Sequence, residues 1–99
     1  MLTKPEALEL VLRKLRQMST PEDPFVVVDA DTIEKSFGWV FFYNSKTFLE
    51  TGAFSYRLAG NGPVIVNKFN GEIEFFGTSR PPLELITEYE RKLSTRHNT

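Results

Sequence analysis

Ninety-nine residues allow one ordinary domain, and a content of 40% hydrophobic and 25% charged residues suits a soluble globular fold, not a disordered chain. Twelve basic against thirteen acidic side chains give a net charge of −1, which supplies no electrostatic reason to expect nucleic acid. With no cysteine in the chain, thiol catalysis and cysteine-based zinc sites are excluded, and a reducing compartment is favoured.

The first element is a helix. Thr3-Lys4-Pro5-Glu6 matches a capping box, in which the threonine hydroxyl takes a first-turn N–H and the glutamate reaches back. Leu8, Val11, Leu12, Leu15 and Met18 then recur at helical spacing. This start lacks the apolar core of a signal peptide, and no apolar run approaches the ~18 residues of a membrane span. A cytoplasmic protein with no membrane partner is the expectation. The helix should stop at the loop STPEDP, Ser19 to Pro24.

Phe25 to Ala30 is a β-branched run of strand length. A loop or irregular strand over 31–36 leads to a second strand, Trp39 to Asn44. There, alternation sends Trp39, Phe41 and Tyr43 one way and Val40 and Phe42 the other. Both faces of that strand are apolar, and Phe42 and Phe75 are assigned to the core along with most of this aromatic run. Residues 47–57 are open between a short strand and a turn of helix. Gly60-Asn61-Gly62-Pro63 is a turn, with Pro63 at a strand start because proline cannot donate to a ladder.

VIVNKF, Asn70-Gly71 and EIEFFG then read as a β-hairpin with a two-residue turn, pairing Val66 with Phe75 and Asn67 with Glu74. Val64, Val66, Ile73 and Phe75 share the core face. The opposite face carries Ile65, Asn67, Phe69, Glu72, Glu74 and Phe76. A closing helix follows Thr78 or Ser79, with Pro81-Pro82 in its first turn and Leu83, Leu85, Ile86, Tyr89 and Leu93 as its apolar set. Residues 94–99 should fray. The fold class is therefore α+β, a single domain over 1–99 in the order α-β-β-β-β-α. It has an antiparallel sheet of about four strands and two terminal helices packed on one face.

Catalytic chemistry finds little support. The one histidine, His97, lies three residues from the end, a poor place for a triad or metal site. Asp29-Ala30-Asp31 with Glu34 lacks the glycine and the terminal bidentate acid of a calcium loop. Gly60-Asn61-Gly62 precedes a strand, not the helix a nucleotide loop requires. Glu72 and Glu74 read as a solvent face, because a domain this small offers little room for a glycosidase cleft.

TIEKSFGWVFFYNSKTFLETG followed by LAGNGPVIVNKFNGEIEFFGTSRPPLELITEYE resembles the immunity protein 35 family, the YrhB-like small bacterial proteins, from about Val26 to Glu90. Gly38-Trp39, Phe48–Gly52, Leu58–Pro63 and the hairpin ending in Gly77-Thr78 carry the resemblance. It implies a cytoplasmic immunity protein that binds and neutralises a cognate polymorphic toxin, with a papain-like peptidase among the suggested toxins. It implies no cofactor, no metal and no catalytic residue. A chaperone-like or general interaction module is the alternative, and a homodimer through an exposed edge strand stays open.

Partner-binding candidates follow from an open sheet face, where Ile65, Phe69 and Phe76 serve as anchors beside Asn67, Glu72 and Glu74. Glu50, Tyr56, Arg57 and Asn61, in the irregular segment, are the second set, because loops adapt to a partner at little cost to the core.

Overall fold

The computed structural model describes residues 1–97. Helix α1 (Lys4–Met18) begins with the expected capping box: the Glu6 N–H donates to Thr3 Oγ1, and Glu6 Oε1 accepts from the Thr3 N–H at 2.9 Å. The Thr3 N–H, then the Thr3 hydroxyl, donate to the Glu6 carboxyl and hold it below its ordinary range. Ala7, Val11 and Leu15, spaced by four, form its fully buried stripe.

Among the described residues six short strands follow, all antiparallel in their pairings: β1 (Phe25–Val27), β2 (Ile33–Lys35), β3 (Gly38–Phe41), β4 (Tyr43–Ser45), β5 (Val64–Asn67) and β6 (Ile73–Phe75). The strand expected over 39–44 breaks at Phe42, whose carbonyl accepts from the Val28 N–H at 2.8 Å. Its first half joins a sheet ordered β2-β3-β5-β6, and its second half pairs with β1 as a two-stranded ribbon. Side-chain alternation survives the break, so Trp39, Phe41 and Tyr43 share one core. The undecided segment over 47–57 is helical: α2 (Lys46–Thr51), then a 3-10 turn over Phe54–Tyr56.

Two glycines allow strands to approach closely. A Cβ at Gly38, where φ is +148°, would lie 2.0 Å from the Val66 carbonyl oxygen. A Cβ at Gly62 would lie 2.0 Å from the Gly77 carbonyl oxygen. Gly62 also supplies a missing donor. Pro63 accepts from the Phe76 N–H but has no N–H to return, and the Gly62 N–H bonds Phe76 O at 3.0 Å in its place.

The hairpin register differs from the expected one by two residues. Val66 faces Ile73 and Ile65 faces Glu74, so the loop holds four residues, 68–71, between Asn67 and Glu72. A shift of two preserves every face, and Val64, Val66, Ile73 and Phe75 stay together. The longer loop is organised by Asn67, whose Oδ1 accepts from the Phe69 and Asn70 N–H groups at 2.9 and 3.2 Å.

Helix α3 (Pro82–His97) corrects the layer arrangement, while the α+β class with terminal helices stands. Helix α1 packs on Trp39, Phe41, Val64 and Val66, whereas Ile86, Tyr89 and Leu93 of α3 pack on Phe37, Val40 and Ile65. These strand residues alternate, so the two helices cover opposite faces. Val40 and Ile65, with Ile33, Phe42 and Phe76 beside them, make the second face too apolar to leave wet, at about 25 cal/mol per Å². Leu83 turns outward, and Leu85 is buried in its place. Of the tail expected to fray, residues 98 and 99 lie outside the described residues.

Candidate partner-binding surfaces

Ser45, at the end of β4, is wholly buried, and its hydroxyl does two jobs. It donates to Asp23 Oδ2 at 2.6 Å and accepts from the Phe48 N–H as the N-cap of α2. Asp23 Oδ1 takes the Thr47 N–H at 2.9 Å. The Ser45 hydroxyl, then the Thr47 N–H, hold the Asp23 carboxyl below its ordinary range. Farther along, Asn44 Oδ1 accepts from the Leu58 N–H, and Asn61 Nδ2 donates to the Tyr43 carbonyl at 2.8 Å. The irregular segment is therefore clipped to β4 at its start and at its return.

On this anchored segment, Leu49, Phe54 and Tyr56 project outward; Phe54 is 76% exposed. Phe54 sits 6.1 Å from the Phe48 ring, with the Arg57 guanidinium 5.9 Å from its centroid. Lys46 and Glu50 pair at 3.6 Å on the same short helix. The result is an aromatic shelf with charges of both signs at its border. Glu50, Tyr56 and Arg57 from the sequence-based set belong to it. Asn61 acts as a clip.

The hairpin set divides. Ile65 is fully buried under α3, and Asn67 is 4% exposed, with its Nδ2 donating to the Tyr89 hydroxyl at 3.2 Å. The expected open face does not exist around either residue, because α3 closes it. Phe76 is half-buried against the α3 core. Phe69, at 63% exposure, stands at the hairpin tip with Lys68 Nζ 5.4 Å from its ring centroid. It walls an open cleft of about 810 Å³ with Phe37, Asn70, Glu90 and Leu93. Glu72 and Glu74 are exposed, and Glu74 borders a smaller cleft of about 190 Å³ beside α3.

Leu49 and Phe54 were missed as contact candidates. Nothing in the local pattern separates Phe48, half-buried, from Phe54, exposed; the fold of the segment decides it. Among the described residues, no group of three or more His, Cys, Asp or Glu side chains could hold a metal ion, and no helix is long and apolar enough to cross a membrane.

The aromatic shelf thus lies on a small α+β domain, and comparison with known proteins supplies the family. The immunity protein 35 family matches residues 5–91, and the chain belongs to that family of immunity proteins. An uncharacterised protein of Escherichia coli, YrhB, is 47% identical over 58 residues, which cover 59% of this chain and 62% of YrhB. The match thus spans less than two thirds of that relative. No solved structure matches this chain at a significant level.

Proposed function

We propose that this protein acts in the cytoplasm by binding a cognate toxin of a polymorphic-toxin system and neutralising it through direct protein–protein contact, without chemistry of its own. Family membership supports immunity. The observation that carries the contact surface is the α2 shelf, where Leu49, Phe54 and Tyr56 lie exposed on backbone held by Asp23 and Ser45. Aromatic anchors on a prearranged scaffold lose little entropy on binding and dominate interface energetics. Glu50 and Arg57 at the border supply charge matching to one partner. A papain-like peptidase domain is the toxin class the resemblance suggests.

The test is growth of cells expressing the neighbouring toxin-like gene, with and without this protein. Wild type rescues growth. The double variant Phe54→Ala/Tyr56→Ala stays folded by circular dichroism and loses rescue, with affinity down at least about tenfold, the loss of one good anchor. Rescue that survives both substitutions removes the shelf from the reading. Absence of rescue by wild type, with toxin active and protein soluble, removes neutralisation of that toxin.

A second reading, a chaperone-like module, is favoured by one observation. Among the described residues, exposed apolar side chains are scattered over the molecule: the shelf, Phe69 at the hairpin tip, Leu83 on α3, Met18 at the end of α1 and Met1. Suppression of aggregation of unrelated unfolded clients, without salt-sensitive one-to-one binding, is its signature.

A further inference from the structure

The four-stranded sheet ends at β6, with no strand beyond it among the described residues. The hydrogen bonds to β5 run from Asn67 N to Glu72 O and from Phe76 N to Pro63 O, so the residues that exchange bonds with β5 are Glu72, Glu74 and Phe76. Ile73 and Phe75, the alternate positions, turn their N–H and C=O groups to the free edge. Side chains alternate there too. Ile73 and Phe75 lie half-buried on the α1 face, while Glu74, opposite Ile65, lies exposed on the α3 face with Glu72.

This edge is an amphipathic template of one sign of charge. A second copy fits it badly. Antiparallel pairing of Ile73 with Phe75 of another copy, the register that uses both edge residues of each strand, sets Glu74 against Glu74. Like charges directly opposite are unfavourable. The opposite edge, β2, differs in carrying both Glu34 and Lys35, the latter held at 3.8 Å by Glu90. The basic groups that line the small cleft with Glu74, Arg80 and Lys92, pair with Glu84 and Glu88.

We propose that the β6 edge accepts an extended segment of a protein partner as an added strand, one that alternates apolar with basic residues. Its apolar side chains continue the Ile73–Phe75 row, and its lysines or arginines face Glu74. Main-chain bonds to Ile73 and Phe75 supply the attachment, and the charge supplies the choice of partner. This surface is distinct from the α2 shelf and stands apart from the toxin reading.

The test is amide hydrogen exchange on the whole protein by NMR, with two synthetic peptides at millimolar concentration, one alternating lysine and valine and one alternating glutamate and valine. The basic peptide slows exchange at Ile73 and Phe75 several-fold and leaves Glu74, already bonded to Ile65, unchanged. Glu74→Lys, a substitution at an exposed position, abolishes that slowing. Unchanged exchange at Ile73 and Phe75 overturns strand addition. Equal slowing by both peptides overturns the basic partner. Slowing that rises with protein concentration in the absence of peptide shows that a second copy takes the edge instead. Each result is independent of whether the growth assay shows rescue.

Discussion

Single atoms decide several features of this protein. The oxygen 2.0 Å from a Cβ at Gly38 belongs to backbone, as does the one at Gly62, so neither site can relax by moving a side chain. Gly38→Ala and Gly62→Ala are each expected to destabilise the fold by at least the ~1–3 kcal/mol of overpacking, measured by urea denaturation. Gly52→Ala provides the contrast, since no atom lies within 4 Å of its added methyl and only the left-handed backbone opposes it. Asn67 is a second case. Its side chain closes the hairpin loop and meets Tyr89 across the core, so Tyr89→Phe leaves a buried amide donor without its partner at a cost of about 1–3 kcal/mol. Asp23 sets a pH dependence. Its carboxyl is lowered in the folded state, so the unfolded chain binds the proton more readily. Its stabilisation is therefore complete above about pH 5 and is lost as pH falls through the ordinary aspartate value near 4 and below. Urea midpoints of wild type and Asp23→Asn measured from neutral to acid pH should differ at neutrality and converge in acid. A gap that stays constant would assign the effect to packing.

At the scale of elements, the two helices do equivalent work on opposite faces. Leu15 from α1 and Ile86 from α3 are both buried, one in each core. Leu15→Ala and Ile86→Ala should each cost about 2–5 kcal/mol. A cost for Ile86→Ala in the range of surface substitutions, within about 0.5 kcal/mol, would mean that the α3 face is open after all. The Thr3 cap is worth less. Thr3→Ala removes the hydroxyl that accepts the Glu6 N–H, keeps the backbone N–H bonded to the Glu6 carboxylate, and should cost about 1 kcal/mol, visible as a lower thermal midpoint. Arg80 adds an ion pair to Glu88 that holds this carboxyl below its ordinary range, with further pairs from Arg80 to Glu84 and from Lys92 to Glu88. These exposed pairs contribute little to stability.

Across the whole molecule, a sheet clad on both faces leaves function to its ends and edges. The shelf on α2, the hairpin tip with its cleft beside α3, and the β6 edge are the surfaces proposed for partners. Phe54→Ala and Phe69→Ala, both at well-exposed positions, should leave stability within about 0.5 kcal/mol of wild type. Their effect should appear in binding alone. Because Trp39 and Val40 come from one strand and serve different cores, unfolding is expected as one transition. Near-ultraviolet circular dichroism and helix content should give coincident midpoints.

Local patterning was enough for much of this. The capping box, most of the α1 stripe, the β5–β6 core face and the closing helix were readable, because caps, periodicity and turn residues act within a few positions of one another; on α1, Met18 is exposed in the last turn and Ala7 joins the buried stripe. The Asn70-Gly71 pair announced a hairpin, but its register depended on Asn67, whose side chain gathers the loop amides only when that loop is four residues long. The chain also showed that both faces of its central strand are apolar. It could not show that α3 would cover one of them, because two amphipathic helices of similar apolar pattern fit either side of a sheet. That choice is made by the folded path of residues 76–81 from β6 to α3, and it withdrew Ile65 and Asn67 from the candidate surface. The exposure of Phe54 beside a half-buried Phe48 was likewise settled by the folded chain: identical side chains six residues apart carry identical local signals, and only the path of the backbone around Asp23 and Ser45 tells them apart.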